Sequence, residues 1–245
     1  MKTLLLLGYG KMANALALGL KENYTLEISG RDEKKIQNFC KQHNLIPLKA
    51  SNTFDINNKE VLLCVKPYAL QDLHFTGKAK CVYSILNGVS LESLKEKIDS
   101  KNYIRAMPNV SASLKKSITS LCGDENAKKD SFDIFNSIGK CVWIEEKSMP
   151  IATALGGCAP AFLALIAESL MDAGVINGLN REEATQITQG LFEGFSTLLD
   201  SQSANTIKES VMSPGGSTAK GIESLEIDGL RGIIQKAILA SKIKA

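Results

Sequence analysis

Residues 4–13 place the tightest limit on what this chain can fold into. Leu4-Leu5-Leu6-Leu7 is an unbroken apolar run, Gly8-Tyr9-Gly10-Lys11-Met12-Ala13 follows it, and a helical pattern opens at Lys11. A continuous apolar run suits a strand buried on both faces. Gly-x-Gly-x-x-Ala between a strand and a helix then has a specific use. The first glycine turns the chain tightly, the second lets backbone approach a pyrophosphate, and the small third residue lets helix and strand pack closely. The helix start adds free N–H groups and a positive dipole end. Leu7, Gly8, Gly10, Lys11 and Met12 are therefore expected against a bound dinucleotide. An ordinary tight turn in an α/β fold is the competing reading, and it stays open at this point.

The alternation continues. Strands are expected at 3–7, 26–29, 61–65, 81–85, 103–106, 118–122 and 141–144, with helices at 11–22, 33–43, 91–98 and 128–138. Strands separated by helices favour a mainly parallel sheet covered on both faces. From Pro150 the texture changes: apolar residues recur at helical spacing, as at Phe162, Leu165, Ile166, Leu170 and Ala173. Gly174 and Gly178 end that helix and Asn180 caps one that begins near Arg181. Further helices are expected at 187–199, from about Thr218 to Ser224, and from Leu230 to the C-terminus. The fold class is thus α/β, with an N-terminal Rossmann-type dinucleotide-binding domain over 1–148 and an all-helical domain over 149–245.

The end of the second strand should choose the cofactor. An acidic residue there holds the ribose 2′-hydroxyl of NAD, whereas a nearby Arg suits a 2′-phosphate. In Leu26-Glu27-Ile28-Ser29-Gly30-Arg31-Asp32, Ser29, Gly30 and Arg31 are placed for a phosphate monoester, with Asp32 as cap of the next helix. Glu27 is the rival, since a small error in the strand end would carry it to the ribose. Arg31 as a solvated helix-start residue is a second alternative. The reading favours NADPH and leaves NADH possible.

Bulk properties exclude some functions. A net charge of +3 with no Lys/Arg block argues against nucleic acid, which wants a concentrated basic face. The apolar run after Met1-Lys2 stops at Gly8, too short for a secretory core, and no other run looks long enough for a membrane span, so a cytoplasmic protein is expected. Six scattered cysteines, Cys40, Cys64, Cys81, Cys122, Cys141 and Cys158, show no metal-knuckle or redox spacing, so neither a metal nor a disulfide is expected. His43 and His74 are the only histidines, both expected on surface elements. An enzyme that removes a proton from an alcohol wants a general base, which imine reduction does not.

Val211-Met212-Ser213-Pro214-Gly215-Gly216-Ser217-Thr218 leads into another helical pattern. Successive glycines let N–H groups point into one concavity, and a helix start adds its dipole, so a carboxylate would sit well there. A plain helix–helix connection capped by Ser217 fits the same residues.

The chain resembles the pyrroline-5-carboxylate reductase family over nearly its whole length. The family's Ser-Pro-Gly-Gly-x-Thr stands at Ser213 to Thr218, and its Asp-Ala-Gly-Val-x-x-Gly-Leu-x-Arg-x-x-Ala at Asp172 to Ala184. Val65-Lys66-Pro67 matches Val-Lys-Pro, Asn87-Gly88-Val89-Ser90 falls at Ala-Gly-Val-Ser, Arg105-Ala106-Met107-Pro108-Asn109 matches Arg-x-Met-Pro-Asn, and Asn52 lies where the family has an Asn near the adenosine ribose. The resemblance implies reduction of 1-pyrroline-5-carboxylate to L-proline by hydride from NAD(P)H, the last step of proline biosynthesis. It implies cofactor contacts at Asn52, Val65, Lys66, Pro67, Asn87, Gly88 and Asn109. The N–H groups about Gly215, Gly216, Ser217 and Thr218 would hold the carboxylate of a cyclic imine, with the Thr218 hydroxyl by the ring nitrogen as the catalytic group. Lys66 is read as a backbone-shaping contact rather than an acid, and Cys158 as packing rather than a reactive thiol. The helical domain would bind substrate and form a homodimer or higher homo-oligomer.

This chain departs from the family at Val110-Ser111, where Thr-Pro is usual, and at Cys158, Ala159 and Phe162 within the segment Gly157 to Phe162, where Gly-Ser-Gly-Pro-Ala-Tyr is usual. Its Ser201 to Ala204 loop also lacks an acidic residue and a proline common there. Two rivals follow. A related imine or β-hydroxyacid reductase would share the cofactor, but the latter should carry a catalytic Lys in its helical half, and Lys208, Lys220, Lys236, Lys242 and Lys244 sit in no such motif. A non-catalytic dinucleotide-binding regulator is the second; the intact Ser213–Thr218 segment argues against it, and the altered Gly157–Phe162 segment keeps it open.

Overall fold

The structure is a computed structural model that describes residues 1–242. The chain divides into two compact units, Met1–Gly157 and Cys158–Ser241.

The first unit is a Rossmann-type domain. Its strands are β1 (Lys2–Leu7), β2 (Tyr24–Ser29), β3 (Ile46–Pro47), β4 (Thr53–Asp55), β5 (Glu60–Leu63), β6 (His74–Thr76), β7 (Cys81–Ser84), β8 (Tyr103–Met107), β9 (Ser117–Gly123) and β10 (Gly139–Trp143). Helices α1 (Lys11–Leu20), α2 (Glu33–His43), α3 (Leu91–Lys97), α4 (Lys128–Asn136) and α5 (Met149–Thr153) connect or follow them. Eight strands form one sheet in the order β10-β9-β8-β7-β5-β1-β2-β3, and β4 pairs with β6 in a small second sheet. Every pairing in the large sheet is parallel except β8 with β9, which turns back antiparallel.

The apolar strands are sealed on both faces, as their composition requires. In β1, Leu4 and Leu6 join one core cluster with Ala13, Leu16 and Ile36, while Leu5 and Leu7 join the other with Leu70, Leu94 and Ile98. In β5, Leu62 faces the first cluster and Val61 and Leu63 the second. In-register pairing puts Leu7 beside both Ser29 and Leu63, so the carboxyl ends of β1, β2 and β5 lie in one row. The strand order reverses at β1, and that row is where α/β folds of this kind bind ligands.

The second unit is all helical among the described residues: α6 (Ala159–Ile176), α7 (Arg181–Leu199), α8 (Ala204–Ser210), α9 (Ser217–Ile227) and α10 (Leu230–Ala240). Asn180 caps α7 in a reciprocal capping box with Glu183, each side chain bonding the other's backbone N–H at 2.9 Å. The Asp172–Ala184 stretch acquires a physical meaning here. A Cβ on Gly174 would lie 3.2 Å from Leu179 and 3.4 Å from the Ala184 methyl. Gly178 takes φ +108° to end α6, and Arg181 pairs with Asp172 at 2.7 Å.

Several expectations are corrected. The helix near Arg181 and the one at 187–199 are a single helix, since Gly190 and Gly194 are tolerated within α7. Helix α8 and strands β3, β4 and β6 were not anticipated; the strands have two or three residues each, too short for a period to show. The last helix ends at Ala240, while residues 243–245, with Lys244, lie outside the described residues. His43 is buried rather than on the surface, with its Nε2 2.6 Å from Asn14 Oδ1. The expectation of no membrane-length run also fails on length and composition: the helical run Glu146–Ile176 has 31 residues, and an 18-residue window in it has mean hydropathy 1.8 and is 17% buried. Pro150, Gly156, Gly157 and Pro160 disguise it in sequence: the prolines stand in the first turns of α5 and α6, and the two glycines lie in a five-residue π-helical turn, Ala154–Cys158.

Candidate active site

Gly8 is required twice. Its φ is +124°, and a Cβ would lie 2.7 Å from the Cys64 carbonyl oxygen at the end of β5. The turn is fastened by Gly8 N–H donating to Ser29 O at 3.0 Å and Cys64 N–H donating to Leu7 O at 2.8 Å. Gly10 differs. It caps α1 in an extended conformation without a side-chain cap, no acidic residue stands in the first turn, and a Cβ would meet nothing within 4 Å. Open space over an uncapped helix start is what a pyrophosphate needs, so the residues fit a dinucleotide. Lys11 is exposed, Met12 packs partly on the core, and Ala13 is fully buried.

At the end of β2 the residues separate by role. Ser29 is only 3% exposed and its hydroxyl donates to Lys49 O at 3.4 Å. Gly30 gives up its side-chain space to the Tyr9 ring, whose Cε1 would be 2.6 Å from a Cβ there. Arg31 is the exposed member and pairs with Asp72 at 3.1 Å. Asp32 caps α2, its carboxylate accepting Lys35 N–H at 3.1 Å and held below its usual range chiefly by that bond. Glu27 does not reach the ribose side. It sits two residues inside β2, lining a cavity of about 310 Å³ with Lys2, Glu60 and Lys80 near the amino ends of the strands.

The remaining positions border the same row. Asn52 has an exposed side chain, and its carbonyl accepts His74 N–H at 2.8 Å; its neighbour Ser51 N–H donates to Gly30 O at 2.9 Å. Val65 is half-buried, Lys66 is exposed, and Pro67 opens a short 3-10 helix, Pro67–Asp72. Asn87 and Gly88 form the turn after β7, with Gly88 at φ +77° and open space where a Cβ would be. Asn109 is the exception. It is buried, its Oδ1 accepts Ser111 N–H and its Nδ2 donates to Gly156 O, each at 3.1 Å, so its side chain braces loops.

Sequence reasoning missed the clamp beneath the Asn87-Gly88 turn. One oxygen of Glu146 accepts Leu91 N–H, at the start of α3, at 2.8 Å and Arg105 Nη1 at 2.9 Å. The Arg105 side chain is 9% exposed, so Glu146 is the counter-charge of a buried guanidinium. Arg105 was visible in its motif, but nothing in the sequence points to a partner 41 residues away.

In the second unit the Pro-Gly-Gly segment is a turn. Gly215 takes φ +71°, Gly216 N–H donates to Ser213 O at 2.9 Å, and a Cβ on Gly216 would lie 2.4 Å from Ser213 Oγ. Helix α9 starts at Ser217 with no side-chain cap and no acidic residue in its first turn. The alternative of a connection capped by Ser217 is therefore not what forms. Ser217 and Thr218 stand in the first turn, Thr218 half-buried.

The cysteines are all free. Burial pushes Cys81 and Cys141 up to about 12 and Cys122 up to about 11, so these stay thiols. Among the described residues no group of three His, Cys, Asp or Glu could hold a metal.

Comparison with known proteins bears on the whole chain. Residues 146–245 match the family described as pyrroline-5-carboxylate reductase dimerisation, and residues 3–88 the one described as NADP oxidoreductase coenzyme F420-dependent. The pyrroline-5-carboxylate reductase of Helicobacter pylori is 36% identical over 249 residues, covering 97% of this chain and 96% of its own. The chain belongs to the pyrroline-5-carboxylate reductase family. Solved structures of family members agree: the 1-pyrroline-5-carboxylate reductase of Streptococcus pyogenes has a TM-score of 0.83 at 29% identity, covering 98% of each chain. The Plasmodium falciparum pyrroline carboxylate reductase, solved with NADP bound, has a TM-score of 0.80 at 30% identity and covers 98% of this chain and 96% of its own.

Proposed function

We propose that this chain is an NAD(P)H-dependent oxidoreductase that reduces 1-pyrroline-5-carboxylate to L-proline, the last step of proline biosynthesis. The observation that carries the reading is the near full-length match to named pyrroline-5-carboxylate reductases together with the uncapped Ser213–Thr218 turn. NADPH is the cofactor this reading favours, on the NADP-bound relative and on exposed Arg31, with NADH as a weaker donor.

When bound, the cofactor would supply a hydride to the carbon of the protonated C=N; the π pair would pass to nitrogen, which would take one further proton from solvent to give the ammonium of proline. The protein's own part is alignment and charge. Leu7, Gly8, Gly10, Lys11 and Met12 border the dinucleotide; Asn52, Val65, Lys66, Pro67, Asn87 and Gly88 continue that border. Ser29 and Gly30 shape the phosphate end beside Arg31, and Asn109 acts by bracing. The N–H groups about Gly215, Gly216, Ser217 and Thr218 hold the substrate carboxylate, using the helix start and its dipole. The Thr218 hydroxyl donates to or accepts from the ring nitrogen, which suits either protonation state.

The 1–148 and 149–245 division stands as our assignment of roles, cofactor to the first part and substrate and dimerisation to the second. A homodimer or larger homo-oligomer explains the helical unit: its helices leave Leu163, Leu165, Leu191, Phe195 and Leu198 exposed, and a second copy would cover them. The same explanation replaces a membrane reading of Glu146–Ile176. A cytoplasmic enzyme acting on small water-borne molecules fits this function.

Thr218→Ala tests the mechanism. Losing one well-placed hydrogen bond costs about 1–3 kcal/mol, so kcat should fall about 5- to 150-fold. The melting temperature should not move, and a folded variant with normal turnover would remove Thr218 from the mechanism.

A further inference from the structure

Arg31 already has a partner. Its Nη1 lies 3.1 Å from Asp72 Oδ2, and both side chains are open to solvent, 43% and 64% exposed. Asp72 closes the 3-10 helix Pro67–Asp72 that starts at the Val65-Lys66-Pro67 strand end. That helix is anchored: Ala69 and Leu70 are buried, Leu73 N–H donates to Leu70 O at 3.2 Å, and Lys97 Nζ donates to Gln71 O at 2.8 Å. The carboxylate is therefore held on a fixed element facing the guanidinium. The acids next to Arg31 in sequence are already engaged: Asp32 accepts Lys35 N–H and pairs with the Lys35 amine at 3.5 Å, and Glu33 accepts Gln37 Nε2 at 3.0 Å and Ala50 N–H at 2.7 Å.

We propose that Asp72 sets how strongly the chain prefers NADPH over NADH, by competing with the cofactor's 2′-phosphate for Arg31. This rests on the reading of Arg31 as the phosphate site. A phosphate monoester brings between one and two negative charges. Placed on Arg31, it displaces the carboxylate and then lies next to it as a like charge. NADH brings a 2′-hydroxyl instead, so Asp72 costs it far less. The pair is exposed and individually weak, which lets the cofactor displace it and keeps the effect moderate and sensitive to salt. Asp72 thus lowers a preference that Arg31 creates.

The test is the ratio of kcat/KM for NADPH to that for NADH in wild type, Asp72→Asn and Arg31→Ala, at low and high ionic strength. Asp72→Asn should raise the ratio about three- to tenfold at low salt through a lower KM for NADPH, and the gain should shrink at high salt. Arg31→Ala should lower the ratio. An Asp72→Asn ratio that is unchanged or lower, with Arg31→Ala lowering it, overturns the role of Asp72 and leaves the phosphate site standing. An unchanged ratio in Arg31→Ala overturns the phosphate site, and the role of Asp72 with it.

Discussion

Leu4–Leu7 of β1 and Val61–Leu63 of β5 are apolar runs buried on both faces of the sheet, whereas the largely apolar α6 leaves Leu163, Leu165 and Leu170 in solvent. In the first unit the buried apolar residues form two clusters, one on each face of the sheet. In the second, helices of 18 and 19 residues bury little more than Ala184 and Thr188 within the chain. Helical periodicity shows that a face is apolar but not what covers it. The first unit completes its own core; the second leaves apolar helix faces open, which the proposed homo-oligomer would cover.

The largest effect is expected from a charge placed on the exposed apolar residues of the helical unit. Phe195→Asp or Leu191→Asp should weaken self-association by about a hundredfold or more, read by sedimentation, because a charge is then buried in the interface. Ile46→Asp, equally exposed on the first unit, should leave association unchanged. A wild-type chain that sediments as a monomer would dissolve the contrast altogether.

A smaller effect belongs to the self-contained unit. Glu146→Ala strands the Arg105 guanidinium inside it and should cost about 2 kcal/mol in denaturant unfolding, reduced from a fully buried pair because the carboxylate is partly exposed. Glu146→Gln keeps an acceptor for Leu91 N–H and should cost less. Equal stability of all three would mean that Glu146 does not hold the turn.

The smallest effect is a pH slope. Burial, aided by Lys21, lowers the His43 pKa below its ordinary 6.5. The unfolded chain therefore takes up a proton at higher pH than the folded one. The stability from neutral His43 is full above about pH 6.5 and is lost as pH falls towards the folded pKa. His43→Gln should flatten the stability profile in that window, and an unchanged slope would place the titration elsewhere.

How much of this was legible follows the same contrast. The bounds of α2 and the cap at Asn180 were readable because their signals are local. So was the Gly8 turn, where a positive φ and a close backbone leave glycine no substitute. The reversal of β9 against β8 was not readable, because strand composition does not carry direction. Glu146 and Asp72 were not readable either, since each gains its role from an arginine about 41 residues away. Glu27 shows the converse: its place in β2 was readable, but its distance from the ribose side needed the register.

The central claim is the reaction. Purified protein given NADPH and 1-pyrroline-5-carboxylate should consume the cofactor and release L-proline in equal amounts, measured by absorbance loss and chiral amino-acid analysis. NADPH that binds without being consumed, or is consumed without proline appearing, would contradict the account.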